Sequence, residues 1–168
     1  MLGGDGRPVV GIHGMSSRPD KQEGWIGIGL VTIAPKPAPP LTEADETSFF
    51  ARIQQAVREE KTVDSEMLGR GNVDYRDVPP GGALLVGLEV TIGKFIDSET
   101  IRSVKPVYRT RTGVVDGKWQ GTTEGKHVRM VAKPGYAVGG LKIRAGLGIA
   151  NLRIVFMRIT TAGLNPND

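Results

Sequence analysis

The sequence predicts a mainly β fold with one additional amphipathic helix, and three observations carry that reading. Short runs rich in Val, Ile, Leu and Thr recur along the 168 residues, punctuated by turn-forming residues drawn from 24 glycines and 11 prolines. One stretch, beyond residue 40, spaces its apolar residues as a helix does. A short pattern near the N-terminus returns near the C-terminus, as a repeated strand pair would. Many short strands between turn signals belong to sandwiches, barrels and related all-β architectures.

Taken in order, "GRPVVGIHGMSSRPDKQEGWIGIGLVTI" (6–33) reads as two buried strands around a loop. Val9, Val10, Ile12, Ile28, Leu30 and Ile33 are too many apolar side chains to leave in water, at roughly 1.5–3 kcal/mol for each one buried. This hairpin, within segment 1–34, is therefore expected to pair antiparallel in a sheet formed with strands from the C-terminal half. Segment 35–66 begins with Pro35, Pro37, Pro39 and Pro40, which favour an extended linker across the surface. A helix is expected to follow from about Glu43 to Lys61. Thr42 can cap it with Asp45 three residues on, and Glu43, Asp45 and Glu46 suit its N-terminal dipole. Phe49, Phe50, Ile53, Ala56 and Val57 form one stripe, expected to bury against the β-body rather than a partner chain. Segment 67–162 then carries the main strands: "LLVGLEVTI", "TIRSVKPVYRTR", "KHVRMVA", "YAVGGLKIRA" and "NLRIVFMRIT". Residues 163–168 are expected as a tail, and the whole as one domain, since the length suits a single core.

Composition excludes more than it assigns. The 39% hydrophobic content is ordinary for a soluble protein, and no apolar run approaches the roughly 18 residues of a membrane span. No charged leader with an apolar stretch and cleavage site is read at the start, which leaves the compartment open; a fragment of a larger protein would be expected outside the cell or in an envelope. Cysteine is absent and histidine is limited to His13 and His127. Disulfides, thiolate chemistry and a histidine-rich metal site are thereby excluded. No G-x-S-x-G, phosphate loop, H-E-x-x-H or dinucleotide fingerprint occurs, and the nearest carboxylate pair, Asp97 and Glu99, falls on an apparent turn. No enzyme, cofactor or metal is expected, and His13 in "GIHGM" reads as a turn-bonding histidine. The net charge of +4 is uneven: residues 80–168 carry thirteen Lys/Arg against six Asp/Glu. Lys142 with Arg144, and Arg109 with Arg111, recur at the spacing that puts each pair on one face of a strand. Solvated strand faces are the plain reading, and a polyanion-binding surface the alternative; sparse aromatic residues nearby argue against nucleic acid.

Self-comparison aligns "GRPVVGIHGM" (6–15) with "GYAVGGLKIR" (135–144), and then Ile28 to Leu30 with Leu152 to Ile154. The N-terminal copy has the longer loop, around "SSRPDKQ". "PVVGIHG" followed by "IGIGLV", with "LVGLEVTIGKFIDSETIRSVKPVYRTRTG" and "GYAVGGLKIRAGLGIANLRIVFMRIT" further on, resembles the jacalin-like lectins. The resemblance implies a β-prism of three pseudo-symmetric, four-stranded Greek-key sheets. It also implies an inverted order, the family's closing unit standing first. A permuted chain, a cut from a tandem array, or strands that complete a neighbouring molecule would each explain that order.

The resemblance further implies a sugar site where a glycine-rich loop near the family's first strand meets a Gly-x-x-x-Asp loop near its last. "GRGNVDY" (69–75) is similar to the first loop, offering Gly69, Gly71 and Asn72. In the second, Ile26 or Ile28 falls where the family has aspartate, so Asp20 is the substitute acceptor and Trp25 a stacking surface. "AGLGIANL" lacks the aspartate too. The leading expectation is a noncatalytic, carbohydrate-binding module with a glycan as partner. The alternative is a structural or assembly domain of a larger surface or envelope protein that has lost the sugar site and contacts itself or neighbouring repeats. Polyanion binding is third.

Overall fold

The computed structural model describes residues 1–17, 26–33, 45–95, 97–146, 148–160 and 163–165. Within them the strands are β1 (Leu2–Gly3), β2 (Val9–Ser16), β3 (Ile26–Ile33), β4 (Thr62–Asp64), β5 (Leu68–Gly69), β6 (Val73–Asp77), β7 (Leu84–Phe95) and β8 (Ser98–Thr110). They continue with β9 (Gly113–Asp116), β10 (Gln120–Gly121), β11 (Lys126–Val131), β12 (Tyr136–Ala145), β13 (Ile149–Thr160) and β14 (Gly163–Asn165). The helix is α1 (Asp45–Arg58).

The pairings resolve into three Greek keys. In key I the order across the sheet is β4-β3-β2-β6, with β5 also on β3. In key II it is β11-β7-β8, with β9 and β10 on the far side of β8. In key III it is β1-β12-β13-β14. Each key is built on a long antiparallel hairpin; a third strand lies outside the second, and the strand beside the first returns from later in the chain in keys I and II but is supplied by β1, from the start of the chain, in key III. Keys II and III join through Ile149 opposite Ile101. The two copies found by self-comparison, β2–β3 and β12–β13, are the central hairpins of keys I and III.

Two clusters share the core. The first gathers one face of every hairpin, with Ile12, Ile28, Leu30, Leu88, Val90, Val104, Tyr108, Leu141 and Ile149 all within 2% exposure. The second joins Phe49, Phe50 and Ile53 of α1 to Val10, Val31, Leu84, Val107, Ala137, Met157 and Leu164. The helix stripe thus covers the β-body, as its periodicity predicts.

Several expectations need correction. The hairpin 9–33 does not pair with strands from the C-terminal half. Its β-partners are β4, β5 and β6, from residues 62–77, and the C-terminal half meets it only through the core. Among the described strands of this segment, β1 alone crosses over, placing Leu2 opposite Leu141. Residues 62–64, grouped with the linker and helix, form a strand: they pair with β3 at Val31, Thr32 and Ile33, and the Arg76 guanidinium also bonds Asp64 and Thr62. Residues 163–165 are not tail: Leu164 is buried and its N–H donates to the Gly6 carbonyl at 2.8 Å. The helix is shorter than Glu43 to Lys61, and its expected cap at Thr42 lies outside the described residues, as do Pro35 to Pro40.

Candidate binding end of the prism

The open ends of all three hairpins meet α1: Val10 and Val31, Leu84 and Val107, Ala137 and Met157 belong to the second cluster. The closed ends of the three hairpins therefore gather at the opposite end, where the described strands stop at Ser16 and Ile26 in key I, at Phe95 and Ser98 in key II, and at Ala145 and Ile149 in key III. Loops between third and fourth strands reach the same end: residues 70–72 between β5 and β6, and 122–125 between β10 and β11.

In key I the expected residues Gly69, Gly71 and Asn72 stand against the β2–β3 hairpin just below its tip. Gly69 has φ +106°, and a Cβ there would lie 2.3 Å from the Ile26 carbonyl oxygen. A Cβ on Gly71 would fall 2.5 Å from the Ser16 nitrogen. Both glycines are thus demanded by the chain's own backbone crossing, beyond any role towards a ligand. The Asn72 N–H donates to the Ser16 carbonyl at 3.0 Å, and Asn72, Arg70 and Asp74 are exposed along the mouth. Behind them the Tyr75 hydroxyl donates to the Gly27 carbonyl at 2.9 Å; burial, reinforced by the Asp77 charge, pushes its phenol far up. Ile26 and Ile28, at the positions of the missing aspartate, are 1% exposed and point into the core. Asp20 and Trp25 lie outside the described residues.

Key II places a comparable loop lower on its hairpin and a carboxylate in the turn above it. Gly125, at φ +126°, would place a Cβ 2.3 Å from the Ile92 carbonyl oxygen, so the 122–125 loop lies against β7 at Ile92 and Gly93, below the turn that follows Phe95. The hairpin runs Gly93-Lys94-Phe95-Ile96-Asp97, and Asp97 is exposed in the turn. Gly93 and Asp97 carry the Gly-x-x-x-Asp spacing that the closing unit and "AGLGIANL" lack, and it is legible in the sequence. Glu99, its apparent turn partner, lies instead in β8 opposite Lys94. His127 reaches the loop by its Nε2, 3.1 Å from the Thr123 carbonyl, with its ring edge-on to Trp119 at 5.3 Å.

Beside that loop a row of charges crosses the sheet. Glu89 of β7 takes Lys105 Nζ at 2.9 Å and Arg129 Nη1 at 2.9 Å, while Asp116 takes both Arg129 nitrogens, at 3.0 and 2.7 Å, and Lys105 at 3.1 Å. The hydrogen bond from Arg129 leads in holding the Asp116 carboxyl down to about 2, and that from Lys105 leads in lowering Glu89. These groups satisfy one another and fix β9 and β11 on either side of the β7–β8 hairpin. His13, in key I, likewise has a structural partner: Nε2 lies 3.0 Å from the Ser65 carbonyl in the link from β4 to β5. In key III the tip offers exposed Ala150 and Asn151 and no carboxylate among its described residues.

No protein-family model and no curated protein matches the chain. Solved structures share its fold. A mannose-binding jacalin-related lectin from Ananas comosus, AcmJRL, superposes with a TM-score of 0.57 at 14% identity, over 92% of this chain and 87% of that one. Calsepa lectin in complex with a biantennary N-glycan gives 0.56 at 11% identity, over 91% and 84%. The Calystegia sepium agglutinin gives 0.50 at 14% identity, over 91% and 84%. The fold is therefore a jacalin-like β-prism of antiparallel Greek keys, with α1 added at the end away from the hairpin tips.

Proposed function

We propose that this chain is a noncatalytic glycan-binding module whose sites lie at the hairpin end of the prism. One observation supports the reading above the others: in two keys, a glycine-bearing loop is packed against the hairpin on the side of its closed end, at Ser16 and Ile26 in key I and at Ile92 and Arg102 in key II. Such a pair suits a saccharide because backbone N–H groups can approach its hydroxyls, and a carboxylate accepts from two of them at once. In key II, Asp97 is the acceptor and loop 122–125 the backbone wall. In key I, Gly69, Gly71 and Asn72 form the wall, Asp20 is the acceptor and Trp25 the stacking surface. Proteins of the same fold include a mannose-binding lectin and a lectin in complex with an N-glycan, so mannose and N-glycans are the first probes.

A glycan array followed by calorimetric titration with the best ligand tests this. Asp97→Asn should weaken binding by about tenfold or more, the scale of a charged hydrogen bond to a hydroxyl, with the melting temperature unchanged. Asn72→Ala tests key I separately. Absence of binding across a broad panel of neutral sugars would overturn the proposal, as would unchanged affinity in both variants. The burial of Ile26 and Ile28, which removes the family acceptor from key I, favours a second reading, a structural or assembly domain. A blank array would then point there.

A further inference from the structure

We infer that the outer face of key III, around Lys142, Arg144 and Arg153, binds a sulfated polysaccharide. Lys142 of β12 stands directly opposite Arg153 of β13, and Arg144 stands opposite Asn151 two residues on, on the same face. Ile143, Leu152 and Ile154 pack on the first core cluster, so the three cations point away from it, and all three are exposed. Directly opposed side chains have Cβ atoms about 5 Å apart, and same-face neighbours along a strand are about 7 Å apart. Three positive charges thus share one small area.

No carboxylate among the described residues pairs with any of them. Key II makes the contrast, since its cations Lys105 and Arg129 are matched by Glu89 and Asp116. Like charges directly opposed destabilise a sheet, so this face holds an electrostatic cost that a bridging polyanion would relieve. The chemistry of the surroundings selects the kind of polyanion. Ala150, Asn151 and Gly140 flank the cations, and none offers a ring on which a nucleic-acid base could stack. What the face recognises is the anionic group itself, repeated along a chain.

The full chain should be retained on immobilised heparin and elute at a defined salt concentration, because counterions are released on binding. The variant Lys142→Ala/Arg144→Ala/Arg153→Ala should bind heparin about tenfold more weakly or less, the sum of three modest surface ion contacts. A control of equal charge, Arg111→Ala/Lys118→Ala/Lys126→Ala, should elute close to the parent; these residues are exposed on key II. Equal shifts in the two triple variants, or none in the first, would overturn the assignment. So would duplex DNA binding as tightly as heparin with the same sensitivity to the first triple variant. Asp97→Asn should leave heparin binding unchanged, and free mannose should not compete. The outcome is therefore separable from success or failure of the hairpin-end site.

Discussion

The glycines of this chain are set by contact more than by flexibility, and His13 illustrates it. Its ring lies over Gly29, the residue opposite it in β3, and a Cβ on Gly29 would sit 2.2 Å from Nε2. The imidazole cannot swing away freely, since Nε2 is bonded to the Ser65 carbonyl at 3.0 Å and so helps place the turn between β4 and β5. Gly29→Ala should therefore destabilise the protein by about 1–3 kcal/mol, the usual cost of overpacking. In a His13→Ala background the same substitution should cost less, because the ring contact is gone and only the Glu66 carbonyl oxygen, 2.9 Å from such a Cβ, remains close. Urea midpoints of the four proteins measure this, and additive effects would show that the ring and the glycine do not meet.

At the scale of the element, the β7–β8 hairpin is held to its neighbours by charge as well as backbone. Arg129 reaches from β11 and Asp116 from β9, so the row ties both flanking strands to the centre of key II. Asp116 falls from an ordinary 3.8 to about 2 in the folded protein, chiefly through its bond from Arg129. A carboxyl whose folded value is depressed binds protons more readily when unfolded, so its contribution is complete above about pH 4 and disappears as pH falls through about 2. Glu89 is lowered too and acts in the same direction. The urea midpoint should drop between pH 5 and pH 2. In Asp116→Asn it should start lower at pH 5 and fall less steeply. Identical pH profiles would show that the ion row contributes nothing to folding.

At the scale of the whole molecule, three keys enclose one core and each depends on the others. Residues 1–34 supply the central hairpin of key I and the edge strand of key III. Deleting them removes Val9, Ile12, Ile28 and Leu30 from the shared cluster and bares β6 on the side where it pairs with β2. Loss of that much buried apolar surface exceeds the stability of an ordinary domain. The truncated protein is expected to aggregate or to lack a cooperative transition in calorimetry. A transition at the parent temperature would make the hairpin an appendage and contradict the shared core.

The sequence by itself determined the local structure. Alternating Val, Ile and Leu between glycines marked β7, β8, β11, β12 and β13 nearly to their ends, and the Phe49, Phe50, Ile53 stripe marked α1 and the side it buries. It also carried the repeat between β2–β3 and β12–β13, because two segments filling equivalent places in a prism meet the same packing demand. Gly69, Gly71 and Asn72 were legible only through the resemblance to the jacalin-like lectins, and of them Gly69 closes β5 while Gly71 and Asn72 lie between β5 and β6. What the tertiary structure alone decided was which strands neighbour which. Nothing within residues 9–33 specifies residues 62–77 as partners, since an apolar strand face accepts any strand of matching alternation, and the choice falls to how the whole chain closes its core. The weight of Asp97 was decided there too. As one exposed carboxylate in a turn it says little by itself, and it becomes a candidate acceptor only when the fold places its turn at the same end of the molecule as the 122–125 loop, which packs on β7 at Ile92 and Gly93.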